Sequence, residues 1–282
     1  MKTLSTIKKD LEFNRSLASL IDVLKNIAVA QYRALEQKIK TFEKFLLSVE
    51  SFFEFIDITG IKHPFLDPQD FAQGVIAITS DTGLLGGLNM QVINTALGEL
   101  EKHPGQLIVI GERGKIYAQE AKIPFVAFGG IKDDSRYAQA MQVRDYVVEK
   151  VFKGAFRTLK VVYPYPVSFT VQRVETVSFL PYKPRILPSL AQAEFIPEII
   201  LESRLEDIIE YLVYLWMGQK LYEIFGFSRL AEFAARYVHL EESLQKLKEM
   251  DNKLRLDYFR LRHELIDRNM RELFSARILY AH

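Results

Sequence analysis

Cysteine is absent from the 282 residues. That excludes disulfides, thiolate catalysis and cysteine-ligated metals, and it agrees with a reducing compartment. Helix breakers are missing from both ends: the first glycine and proline are Gly60 and Pro64, the last proline and glycine Pro197 and Gly226. There is no excess of either charge, with 37 lysines and arginines against 36 acidic residues, so nothing global points to nucleic acid or an anionic membrane surface. No long apolar run is present either. The most apolar stretch, residues 208–225, is interrupted by Glu210, Gln219, Lys220 and Glu223 and is too short to span a bilayer. The opening MKTLSTIKKDLEFNRS lacks the apolar core of a signal peptide and carries acidic residues that a transit peptide avoids. The expectation is a soluble chain that reaches a membrane only through partners.

What is there divides into three. Nearly half of the chain is hydrophobic (49%), enough for a sizeable core in one or two domains. Along the first stretch Leu24, Ala28, Gln31, Leu35, Ile39, Phe42, Leu46, Val49, Phe53 and Ile56 recur at spacings of four and three, the seam of a coiled-coil-like helix. Leu230, Phe233, Tyr237, Leu240, Leu244, Leu247, Leu254, Tyr258, Leu261 and Leu265 form a matching stripe at the other end. A helix of ~50 residues is a rod of roughly 75–80 Å, longer than a domain is wide, so part of it must project or meet another chain.

Between the rods, the glycine- and proline-bearing middle alternates. GVIAITS (74–80), LIVIGERG (107–114), FVAFGG (125–130), LKVVYPYP (159–166) and SFTVQRVETVSFLP (168–181) read as strands. LLGGLNMQVINTALGELEK (84–102), IYAQEAK (116–122) and RYAQAMQVRDYVVEKVFKG (136–154) read as helices. Such alternation predicts a Rossmann-like α/β domain with a mainly parallel sheet and right-handed crossovers. The predicted organisation is an N-terminal coiled-coil helix (1–59), an α/β domain (69–190) and a C-terminal helical region (198–282) that pairs with the first helix. PYKPRILPS (181–189) reads as the linker between the last two.

ITSDTGLLGGLN (78–89) is the one loop with the look of chemistry, three glycines between a strand and a helix. A Walker loop would end in Gly-Lys-Ser/Thr, whereas Gly86 and Gly87 are followed by Leu88 and Asn89. A dinucleotide fingerprint needs G-x-G-x-x-G, which Gly83, Gly86 and Gly87 do not give. The loop is therefore read as architectural, its glycines allowing a tight turn and a close helix start. The histidines 63, 103, 239, 263 and 282 show no metal-ligand spacing and are read as surface or interface residues. Asp133 with Asp134, and Glu241 with Glu242, are adjacent pairs without a nucleophile and are read as solvated surface. The aromatic run Phe42, Phe45, Phe52, Phe53 and Phe55 is read as core packing. No catalytic, cofactor or metal residue is assigned.

Taken together, two long terminal helices, an α/β middle and ITSDTGLLGGLN resemble the gamma subunit of F-type ATP synthases, whose pattern at this loop is ITSDRGLCGGLN. The resemblance covers the whole chain. IKKDLEFNRSLASLIDVLKNIAVAQYR (7–33) is similar, without gaps, to the family's IKxRIxSVxNTxKITKAMxMVAASKLR. VIGERGKIY (109–117) resembles the second strand and its Gly-Arg-Lys-Gly turn. FSRLAEFAAR (227–236) resembles SRLASExAAR, and LRLDYFRLRHELIDRNMREL (254–273) runs gap-free against LxLxYNKxRQAxITxEIxEI.

The resemblance implies a non-catalytic central-stalk rotor of a rotary proton- or sodium-transporting ATP synthase. Its partners would be alpha and beta subunits of the catalytic ring, an epsilon subunit and a ring of c subunits. It would be peripheral, at the cytoplasmic face of the inner membrane, with no cofactor of its own. The signature loop, with Ser80, Asp81, Gly83, Gly86, Gly87 and Asn89, would be structural. Positions that meet beta-subunit loops in the family correspond to Arg262, His263 and Asp267, of which only Arg262 is the family residue. On the first helix Leu24 corresponds to the methionine of KAMKM, close to the same beta-subunit loops, and its neighbour Lys25 is counted with it. The chain departs from the pattern by losing KIT and by ending in FSARILYAH, where the family is small and slippery. These changes imply a divergent gamma, of an alternate F-type ATPase whose ring has co-adapted. Two other readings remain beside it: a gamma-like scaffold that no longer drives a ring, and a stand-alone nucleotide enzyme using residues 81–89.

Overall fold

A computed structural model describes residues 3–39, 61–67, 72–183 and 203–279. The aromatic run from Phe42 to Phe55, the seam beyond Ile39, most of the proline linker and the last three residues lie outside the described residues. The elements run α1 (Leu4–Ile39), β1 (Gln73–Ile78), α2 (Leu88–Lys102), β2 (Gly105–Ile110), α3 (Glu112–Glu120), β3 (Phe125–Phe128), α4 (Arg136–Phe152), β4 (Thr158–Pro166), β5 (Gln172–Leu180) and α5 (Leu205–Leu279). The chain divides into two compact units at Ala28/Val29 and Arg236/Tyr237, the outer parts of α1 and α5 forming one and residues 29–236 the other.

The larger unit is built on a five-stranded sheet of order β3-β2-β1-β4-β5. β1 pairs in parallel with β2 and β4, β2 in parallel with β3, and only β5 runs antiparallel, against β4. The mainly parallel sheet expected from the alternation is present. Every residue of β1 is buried, as a parallel strand covered on both faces must be. Successive side chains point to opposite faces. Ile76, Ile78, Ile108, Ile110 and Val161 join α4 and the first part of α5 in one core. Val75, Ala77, Leu107, Val109 and Val162 join α2 and α3 in another.

Two boundaries differ from the sequence reading. β2 stops at Ile110 and GERG opens a helix, because Gly111 adopts φ +99° and a Cβ there would lie 2.4 Å from the Thr79 carbonyl oxygen. β5 begins at Gln172, since residues 167–171 close a turn in which the Val167 and Ser168 amides both donate to the Val171 carbonyl at 3.0 Å.

In the smaller unit α1 and α5 pair antiparallel. Ile7, Asn14, Ile21 and Ala28 are its buried residues on α1, one every seventh position, the 3.5-residue repeat of a left-handed coiled coil. Ile21 packs with Leu240, Leu244 and Leu247, flanked by Leu17, Ala18 and Leu24. Lys25 Nζ crosses to Glu241 Oε2 at 2.8 Å and holds Asp22 at 3.1 Å. The seam thus starts earlier than the stripe drawn from Leu24, because polar Asn14 interrupts the apolar pattern, and Gln31 of that stripe is exposed. Leu265, assigned to the matching stripe, is half exposed: in the antiparallel register, α1 runs out before reaching it.

His63, expected at the surface, is buried. Its Nδ1 accepts from the Phe65 amide at 3.2 Å, and its ring lies against Phe65 and Phe152. Burial pushes its pKa below the ordinary 6.5, with Glu210 opposing the shift. The folded state thus favours neutral imidazole while the unfolded chain protonates normally, so this contribution is intact above about pH 6.5 and declines as pH falls below it. Denaturant titrations between pH 8 and 5.5 should show that decline, and His63→Gln should flatten it.

Candidate functional site

In doubly wound sheets, ligands bind at the carboxyl ends of the strands, where the strand order reverses. Here the reversal lies between β1 and β4, and the loop 78–89 leaves β1 at that point. The crevice is bordered by Ile78, Ser80, Leu88, Asn89 and Pro164 on the sheet side and by Ser228, Arg229 and Glu232 of α5 on the other. Only about 10 Å³ of it admits the centre of a water-sized sphere, room for one water at most.

The filling is ionic. Glu232 is 5% exposed. Arg229 Nη1 donates to its Oε2 at 2.5 Å, and Arg236 Nη2 to its Oε1 at 2.6 Å. Arg236 Nη2 also donates to Thr82 Oγ1 at 2.6 Å, and Arg229 Nε reaches Asp133 Oδ1 at 3.2 Å. Residues 229, 232 and 236 follow one another at three and four positions, so a helix sets them on one face. Both guanidiniums flank the Phe233 ring, at 4.6 and 5.9 Å. Beside them Leu85 and Leu88 pack on Ala235. A buried carboxylate is tolerated only when its lone pairs are met in this way.

The loop residues do the matching work on the sheet side. Asn89 Oδ1 accepts from the Ser80 amide at 3.1 Å, and its Nδ2 donates to Ser80 Oγ at 2.8 Å. Asp81 Oδ1 accepts from the Glu112 amide at 3.0 Å, so the chain's own carboxylate occupies the anion position at the N-terminus of α3. Thr79 Oγ1 donates to the Ile110 carbonyl at 2.6 Å and accepts from the Gly114 amide at 2.9 Å. Of the loop glycines, Gly86 needs its φ of +60°, and a Cβ on Gly83 would sit 2.9 Å from Arg113. Gly87 has open space around it.

Among the described residues there is no group of three or more His, Asp or Glu that could hold a metal, and no helix long and apolar enough to cross a membrane. Of the partner-facing positions, Arg262, His263 and Asp267 are exposed along α5. Leu24 is half-buried in the seam, and Lys25 is engaged with Glu241 and Asp22. The structure does not bring the two sets together. Sequence reasoning missed Arg229, Glu232 and Arg236 as partners of the loop. Their three- and four-residue spacing was the available signal.

The arrangement defines an α/β domain clamped to a long helix, with the fold's customary ligand crevice filled by that helix. Comparison with known proteins makes the class specific. A family model described as ATP synthase matches residues 3–277. The ATP synthase gamma chain of Symbiobacterium thermophilum is 30% identical over 226 residues, covering 77% of this chain and 76% of that one. That of Bdellovibrio bacteriovorus is 25% identical, with 98% of each covered. The rotor of the Euglena gracilis mitochondrial ATP synthase superposes with a TM-score of 0.67 at 17% identity, covering 93% and 98% of the two chains. The central stalk of the Tetrahymena thermophila mitochondrial enzyme gives 0.57 at 16%, covering 79% and 99%. These structural likenesses establish the fold. The chain belongs to the gamma-subunit family of F-type ATP synthase, the subunits of the central stalk.

Replacing Glu232 by glutamine leaves two guanidiniums facing a neutral amide in a nearly sealed crevice. Breaking a buried pair costs about 3–5 kcal/mol, so thermal unfolding of Glu232→Gln should fall by many degrees. Gln219→Ala, outside this network, should change it little.

Proposed function

We propose that this chain is the turning shaft of an ion-translocating ATPase, with residues 1–59 and 198–282 as the rod and 69–190 as the α/β domain. The rod would stand within a ring of alternating alpha and beta subunits. The α/β domain would rest, with an epsilon subunit, on a ring of c subunits at the cytoplasmic face of the inner membrane. The observation that carries this reading is the bare end of α5. Every residue from 262 to 277 is exposed, and among them Leu265, Ile266, Met270, Leu273 and Phe274 are 45–67% exposed. A continuous apolar surface of this kind marks a contact with another protein. The gamma-chain relatives, and the solved rotor and central-stalk structures, support the choice of partner.

Arg262, His263 and Asp267 lie in the bare segment and would meet loops of the beta subunit. Leu24 and Lys25, on α1, would also meet beta-subunit loops. A shaft does work only through contact energies that differ among its orientations: each angle favours one set of conformations in the surrounding subunits. Equal contacts all round would shift nothing.

Co-expression with alpha and beta subunits should give a complex whose ATP hydrolysis requires this chain. Truncation after Leu254 removes the bare segment and should leave hydrolysis that no longer pumps ions into vesicles. Pumping at the full-length ratio of ions to ATP would remove the role assigned to this segment.

A further inference from the structure

Among the described residues, the buried positions of α1 in the smaller unit are aliphatic except one. Asn14 occupies the same heptad position as Ile7, Ile21 and Ala28 and is 8% exposed. Its Nδ2 is buried without a hydrogen-bond partner. The nearby acceptors do not meet it: in the cleft that Asn14 shares with Glu12 and Asp251, Asp251 Oδ2 accepts from Arg255 Nε at 2.9 Å.

Surface clefts flank this layer on both sides. One cleft of about 640 Å³ lies between Lys8, Leu11, Asn14 and Ala18 on α1 and Leu247 and Asp251 on α5. Another of about 290 Å³ lies between Asp10, Phe13 and Asn14 on α1 and Met250 and Leu254 on α5. By contrast the next layer, around Ile21, brings Leu240, Leu244 and Leu247 together and is backed by the ion pair of Lys25 with Glu241. An orphaned buried donor is destabilising, and at this layer it lies between two clefts that admit water.

We infer that the Asn14 layer is a compliant joint in the helix pair, the place where the two helices separate and twist most readily. Twist applied along a coiled pair collects in its softest layer, so a rotor carrying this joint yields there before its aliphatic layers do. The compliance is a property of the chain itself and does not depend on which subunits surround it.

The test is amide hydrogen exchange on the purified full-length chain. Asn14→Val fills the layer and removes the orphaned donor, and should slow exchange about tenfold at residues 8–18 and 247–255, the factor that ~1.4 kcal/mol produces. Asn14→Asp keeps the shape and the polarity and should exchange as fast as the parent chain or faster. Exchange in Asn14→Val that is unchanged or faster would overturn the inference, as would equal slowing in Asn14→Asp. Neither outcome touches the assembly with alpha and beta subunits, which is read by co-purification.

Discussion

One carboxylate governs how the long helix meets the sheet. Glu232 is buried, and a buried charge is stable only with its hydrogen bonds made. Arg229 and Arg236 supply them from its own helix, and Thr82 and Asp133 hold those two guanidiniums from the loop side. Sliding α5 by one residue would turn Glu232 by about 100° and carry it out of this cage. The register of α5 against the sheet is therefore fixed at the loop, and Leu85 and Leu88 then find Ala235 beneath them.

The same contacts occupy the crevice at which doubly wound sheets take their ligands. Fold does not dictate function, and the sites grafted onto it do. Asp81 supplies the anion that the N-terminus of α3 favours, and Glu232 with its arginines fills the reversal point between β1 and β4. A joint built from a ligand would loosen whenever the ligand left. One built from the chain's own charges stays closed, which suits a part that must carry load.

Much of this architecture is legible in the order of amino acids alone. The breaker-free ends and the strand–helix alternation predict paired rods around a parallel sheet, and β1, α2, α4 and β4 lie within a few residues of where periodicity puts them. The failures have physical causes. A strand cannot be told from its following turn without knowing that Gly111 has positive φ, so GERG reads as strand where it opens a helix. A lone histidine carries no pattern, so His63 reads as surface, and its burial depends on Phe65 and Phe152, silent or distant in sequence. The loop is visible as a pattern, but its partner lies about 150 positions away in FSRLAEFAAR. Helical spacing groups Arg229, Glu232 and Arg236 on one face without saying what that face meets. Gly87, quoted as part of the signature, meets nothing within 4 Å, so its place there has no steric explanation.

The bare end of α5 adds the last requirement of a shaft, which is that it not look the same from every side. At 100° per residue, Phe259, Ile266, Met270, Leu273 and Phe274 fall within an arc of about 100° that they share with His263 and Arg277, while Asp257, Arg260, Glu264, Arg268 and Arg271 occupy a separate, charged arc. All of these are exposed. A symmetric ring around such a helix would meet apolar side chains on one flank and charges on another at the same instant. Three equivalent neighbours would then hold three different contact energies, and turning the helix would pass those energies from one to the next. The bulk of Phe259 and Phe274 raises the difference that each turn carries, and it also demands a wider sleeve than small residues would.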